Sequence, residues 1–93
     1  TNHLEHDIKL TEVYYKLDEE IQETWRHERE VILDYYEKFP EKEKTLETCI
    51  DATIEINGEI IAIESVGHSY SGEIIEIKQE IAISLGCARM ECI

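Results

Sequence analysis

The sequence predicts an α+β domain, a mixed four-stranded sheet with helices packed on it in the order α-β-β-β-α-β. Three observations carry this. Apolar residues recur at helical spacing in the first quarter of the chain, two alternating runs meet at Asn57-Gly58, and a second helical stripe leads into a short apolar end. Each element follows from its own local pattern.

Leu10, Val13, Tyr14, Leu17 and Ile21 recur at three- and four-residue intervals and form one stripe of a first helix, with Asp18, Glu19, Glu20 and Glu23 mostly on its other side. The segment from Trp25 to Phe39 fits two periods. Val31, Leu33 and Tyr35 alternate as in a strand, whereas Val31, Ile32, Tyr35, Tyr36 and Phe39 would share a helix face. β-Branching and the tyrosines favour a strand over about Arg29 to Tyr36. The charged stretch Glu41–Glu47 after Phe39-Pro40 reads as a solvated connection.

The runs on either side of Asn57-Gly58 read as a hairpin, because that dipeptide supplies the positive φ angles a two-residue turn needs. Ser71 is placed as the N-cap of a second helix reaching Leu85, with Ile74, Ile77, Ile81 and Leu85 on its inner face and Gly86 just past its end. The closing "CARMECI" reads as a strand. A helical crossover before it implies parallel pairing.

The chain has 93 residues, enough for one domain with a modest core, expected to span 1–93. Its 22 acids against 9 Lys and Arg give −13, the opposite of a surface that displaces counterions from nucleic acid or adheres to anionic lipid. Neither a membrane span nor a signal peptide is present. Cys49, Cys87 and Cys92 form no CxxC pair and read as reduced thiols of a cytoplasmic protein, with Cys49 and Cys87 as small core residues. Thr1 in place of Met suggests a carboxyl-terminal fragment of a longer protein.

The hairpin has a chemical consequence. A two-residue turn at Asn57-Gly58 sets Ile56 against Glu59, and continuing that register brings Asp51 opposite Glu64. Facing positions lie about 4.5–5.5 Å apart, where like charges destabilise a sheet, so the two carboxylates need a cation, a proton or a basic partner. A Mg²⁺ ion is one answer, since it takes one or two carboxylates with water and phosphate completing its shell. Splaying of the two side chains into water at the strand ends is the other.

This element order, with an acid near the first helix, Asp on the second strand and Glu on the third, resembles the PD-(D/E)XK nuclease-like fold, with its restriction-endonuclease-like core. More narrowly, "HD-x-KL" (His6 to Leu10), "W-R-x-E-R-E" (Trp25 to Glu30), "I-D-A" (Ile50 to Ala52) and "A-I-E" (Ala62 to Glu64) resemble the replication-relaxation family of plasmid and mobile-element proteins. The resemblance spans nearly the whole chain. It implies a DNA-processing role in replication or mobilisation, with DNA held by a winged-helix segment upstream of this acidic part. It also implies Glu28, Asp51 and Glu64 as catalytic acids, the last two as ligands of Mg²⁺.

Two departures stand out. Ile50 replaces the proline of the family-like "PDA", and Val66 occupies the position of the catalytic lysine, where it can neither orient a metal-bound water nor offset charge on phosphate. Lys78 on the next helix is the candidate replacement, as this superfamily's lysine migrates between elements. Its plainer reading is a solvated lysine paired with Glu73 or Glu76, and Arg89 is a candidate sheet-edge cation. His68, Ser69 and Tyr70 fall near the mouth of such a site, and His3, His6 and Asp7 read as surface residues. No nucleophile elbow, P-loop, HExxH or dinucleotide fingerprint occurs.

Three functions are therefore compared. The first is a degenerate, catalytically impaired nuclease-like domain. The second is a non-catalytic interaction or homodimerisation module, suggested by the charge and by Tyr14, Tyr15, Trp25, Tyr35 and Tyr36, whose plainer role is core packing. The third is an active nuclease using Lys78. In a relic, Asp51→Ala is expected to stabilise the sheet by about 0.5–1 kcal/mol through relieved repulsion.

Overall fold

Leu10, Val13, Leu17 and Ile21 share a stripe, and the computed structural model lays that stripe on the sheet. The structure describes residues 2–43, 46, 49–66 and 71–93, with side chains from Ile8 onward. Helix α1 (Asn2–Lys16) ends before the stripe does, and a single turn α2 (Glu19–Gln22) carries the stripe further. The break is at Asp18, extended at φ −61° and ψ 149°, whose carbonyl accepts from the N–H groups of Ile21 and Gln22. Gln22 Nε2 donates to the Tyr14 carbonyl at 2.8 Å and ties α2 back to the open end of α1.

The first strand is not where the β-branched run suggested. Strand β1 is Arg26–His27 alone, and Glu28–Lys38 is helix α3. The helical period prevailed because Val31 and Tyr35 are buried with Ile32, Tyr36 and Phe39 beside them, while Leu33, which alternation would bury, is 59% exposed. The ends agree with a helix. Glu28 and Glu30 occupy the first turn and Lys38 the last, matching the helix dipole, and a 3₁₀ turn at Pro40–Lys42 follows. Arg26 reaches over α3 to Asp34 through Nε and Nη2 at 2.5 and 2.7 Å, which raises the Arg26 pKa.

Strands β2 (Ala52–Ile56) and β3 (Glu59–Glu64) form the hairpin with the expected register, from Ile56↔Glu59 to Ala52↔Ile63. Asn57 and Gly58 both have positive φ, 53° and 81°. Helix α4 (Gly72–Ser84) starts under a Ser71 hydroxyl that accepts from Ile74 N–H and ends in two bonds, Gly86 N–H to Ile83 and Cys87 N–H to Ala82, around Gly86 at φ 82°. It returns the chain to strand β4 (Arg89–Cys92), which pairs with β3 in parallel.

The molecule is thus an α+β fold with a mixed four-stranded sheet in the order β1-β2-β3-β4. Alternation along β2 and β3 divides its core in two. Ala52, Ile54, Ile61 and Ile63 meet α1 and α2, whereas Ile50 and Ala62 meet Val31 and Tyr35 of α3 and Ile81 and Ala82 of α4. Helix α4 is rotated from its expected setting, because Ile77 is 47% exposed and Lys78 is buried. Among the described residues no helix is long and apolar enough to cross a membrane.

Candidate functional site

The site begins where the hairpin ladder stops. Its last pair is Ala52↔Ile63, and one step further the two acids replace the backbone pairing. Asp51 N–H donates to Glu64 Oε1 at 3.2 Å, and Ser65 N–H donates to Asp51 Oδ2 at 2.7 Å. Each carboxylate thereby satisfies an amide of the opposite segment, so a pair that would repel is fastened across the strand ends.

The compensating cation is Lys78, whose Nζ donates to Glu64 Oε2 at 2.5 Å. This corrects the solvated reading of Lys78 as a partner of Glu73 or Glu76. Its residue is 2% exposed and Glu64 is 0% exposed. The physical reason is its place on α4, since Lys78 shares a face with Ile81, Ala82 and Leu85, the residues that pack onto the sheet. A buried Glu64 without an ammonium would carry the full desolvation penalty, so burial of one requires the other.

Cys49 and Glu28 complete the neighbourhood. Burial pushes the Cys49 thiol up to about 11, the Ile50 backbone and Lys78 act against this, and Glu28 and Glu64 add to it. Glu28, at the first residue of α3, is exposed, yet its charge is felt at Cys49 together with those of Glu64 and Lys78. Asp51, Glu64 and Lys78 meet at one end of the sheet, and Glu28 directly follows His27, the β1 partner of Ala52. Val66 serves the backbone, donating its N–H to the Ile93 carbonyl. Arg89 pairs with Glu91 at 2.6 Å on β4, three positions along the sheet from the level of Glu64. His68, Ser69 and Tyr70 lie outside the described residues, as do the side chains of His3, His6 and Asp7. The sequence reading missed Ser65, whose contribution is a backbone amide and so leaves no mark in side-chain chemistry.

Asp51 and Glu64 are hard oxygen donors of the kind Mg²⁺ selects, but their arrangement does not fit that ion. Glu64 Oε1 accepts the Asp51 amide, Oε2 accepts the Lys78 ammonium, and Asp51 Oδ2 accepts the Ser65 amide. Among the described residues, no three His, Cys, Asp or Glu side chains converge to hold a metal. An ammonium already stands against the carboxylate that would bind it.

Beside this centre, on the α1 side, Asp51 borders a groove of about 500 Å³ shared with Leu10, Tyr14, Tyr15, Trp25 and His27. Tyr14 stands edge-on to both Tyr15 and Trp25, at 5.3 and 5.4 Å between ring centroids. Tyr35 and Tyr36 form a separate cluster with Phe39 under α3, so the five aromatics expected as one group occupy two places. No family model, curated protein or solved structure gives a match to this chain, and the site's own geometry carries the functional argument.

Proposed function

We propose that this chain is a nuclease-like domain of PD-(D/E)XK type in a plasmid or mobile-element DNA-processing protein, with an acid–lysine centre that holds the fold and has lost cleavage. The observation that carries the reading is the state of Glu64, fully buried with both carboxylate oxygens bonded to this chain's own groups. Metal-assisted phosphodiester cleavage needs ligands that leave open coordination positions facing the substrate. Here Lys78 neutralises Glu64 from within, and net charge −13 offers nothing to hold DNA. In this reading DNA is held by another segment. Three free thiols support a cytoplasmic setting.

A second reading, an active nuclease using Lys78, is favoured by one specific observation. The Nζ of Lys78 lies 2.5 Å from Glu64 although it comes from α4 and not from the position of Val66. Two measurements separate the readings. The impaired domain leaves the amide signals of Asp51 and Glu64 unmoved under millimolar Mg²⁺ or Mn²⁺, and supercoiled plasmid stays intact. Metal-dependent nicking that vanishes in a folded Lys78→Met variant would instead establish the active enzyme.

A further inference from the structure

The two edges of the sheet are finished differently. Strand β1 covers only Ala52 and Thr53 of β2, and a side chain closes the edge beyond it, where Thr24 Oγ1 accepts from Glu55 N–H at 2.9 Å. The other edge is β4, and among the described residues no strand pairs with its outer side. Arg89, Glu91 and Cys92 are exposed along it, and neither proline nor lysine interrupts it. An uncovered edge of this kind is a template for one more strand.

Backbone direction and charge decide which strand fits. Ile93 N–H donates to the Glu64 carbonyl at 2.8 Å, and the Ile93 carbonyl accepts from Val66 N–H at 3.1 Å, so Ile93 turns both groups toward β3. Alternation along the strand then turns the N–H and C=O of Cys92 and Met90 outward, and those of Glu91 and Arg89 inward. Arg89 and Glu91 have Ile61 and Ile63 as partners on β3, which places both on the α1 face of the sheet. They are bonded to each other at 2.6 Å and each is about half exposed.

A second copy laid antiparallel along this edge has three registers in which outward groups meet. Met90 opposite Met90 places Arg89 of each copy against Glu91 of the other, at the non-hydrogen-bonded positions where facing side chains come closest. Met90 opposite Cys92 sets Glu91 against Glu91, and Cys92 opposite Cys92 sets Glu91 against Ile93. Only the first register joins opposite charges, and the two-fold axis makes it do so twice. Each copy carries −13, but Arg89 and Glu91 cancel locally, and salt at about 0.15 M screens the more distant charges. We infer that β4 is an interface between two copies of this chain, an antiparallel pairing about Met90 that joins the two sheets into one, with Arg89 and Glu91 fixing its register. The interface is independent of the acid–lysine centre and of the function proposed for it.

Sedimentation equilibrium at about 0.15 M salt, under reducing conditions that keep the three thiols free, tests this. The unaltered chain is expected to dimerise with rising concentration. Arg89→Glu and Glu91→Arg each set like charges in both cross-strand pairs. Each should weaken self-association by about tenfold with an unchanged far-UV circular dichroism spectrum. An equimolar mixture of the two variants should recover the association, because every pair between the copies is then opposite in sign. Within each copy of that mixture residues 89 and 91 remain alike in charge, so recovery cannot come from the bond inside one chain. A chain that stays monomeric at every concentration overturns the inference and leaves the edge to a different strand. Unchanged association in either variant, or a mixture no stronger than its components, also overturns it.

Discussion

At the scale of single residues, Lys78 has the largest expected effect. Replacing it by methionine leaves Glu64 buried without its ammonium, and removal of one partner of such a pair costs about 3–5 kcal/mol. Urea unfolding of Lys78→Met should show that loss, and Glu64→Gln/Lys78→Met, which removes both charges and keeps an oxygen for the Asp51 amide, should recover most of it. The same geometry reverses the expectation for Asp51→Ala. Asp51 Oδ2 accepts the Ser65 amide, so its removal strands a buried donor and should destabilise by about 1–3 kcal/mol despite relieved repulsion. Cys49 gives a pH prediction. Its folded pKa, pushed up to about 11, lies above the ordinary thiol value. The folded state therefore keeps its proton where the unfolded state has lost it, and the stability present below about pH 8.5 falls as pH rises toward 11. In iodoacetamide at neutral pH the exposed Cys92 should react first and Cys49 only on unfolding.

At the scale of elements, α3 and the hairpin show what the chain spells out locally and what it leaves to packing. Asn57-Gly58 dictates turn, register and the Asp51–Glu64 approach without help from the rest of the molecule, so this part of the site was legible. The segment 28–38 was not, because Val31, Leu33 and Tyr35 satisfy one period and Val31, Ile32 and Tyr35 the other. Only the sheet, offering Ile50 and Ala62 as a surface to cover, decides between them. Leu33→Glu should therefore change stability by less than about 0.5 kcal/mol, whereas Val31→Ala should cost about 1–3 kcal/mol. Thermal unfolding checks both, and a strand would demand a large cost at each. Helix α4 hid its buried face for a related reason. Isoleucines at 74, 75, 77, 81 and 83 surround it, so the stripe through Ile74, Ile77 and Ile81 was not the only one available, and Lys78 looked like a solvated residue until its neighbours on the helix were fixed.

At the scale of the whole molecule, two helical layers flank one sheet, and the charged centre lies where the hairpin meets the crossover helix. Local and distant parts of the chain come together there. β2 and β3 are joined by two residues, whereas β4 reaches β3 only after α4 has crossed the sheet. The bond from Lys78 to Glu64 consequently spans a unit able to assemble early and one that arrives after a longer loop closure. That separation turns a spatial feature into an order of events. Stopped-flow measurements on Lys78→Met should find escape from the native state accelerated and the refolding limb close to that of the unaltered chain, a lysine that guards the exit and has no hand in the entry.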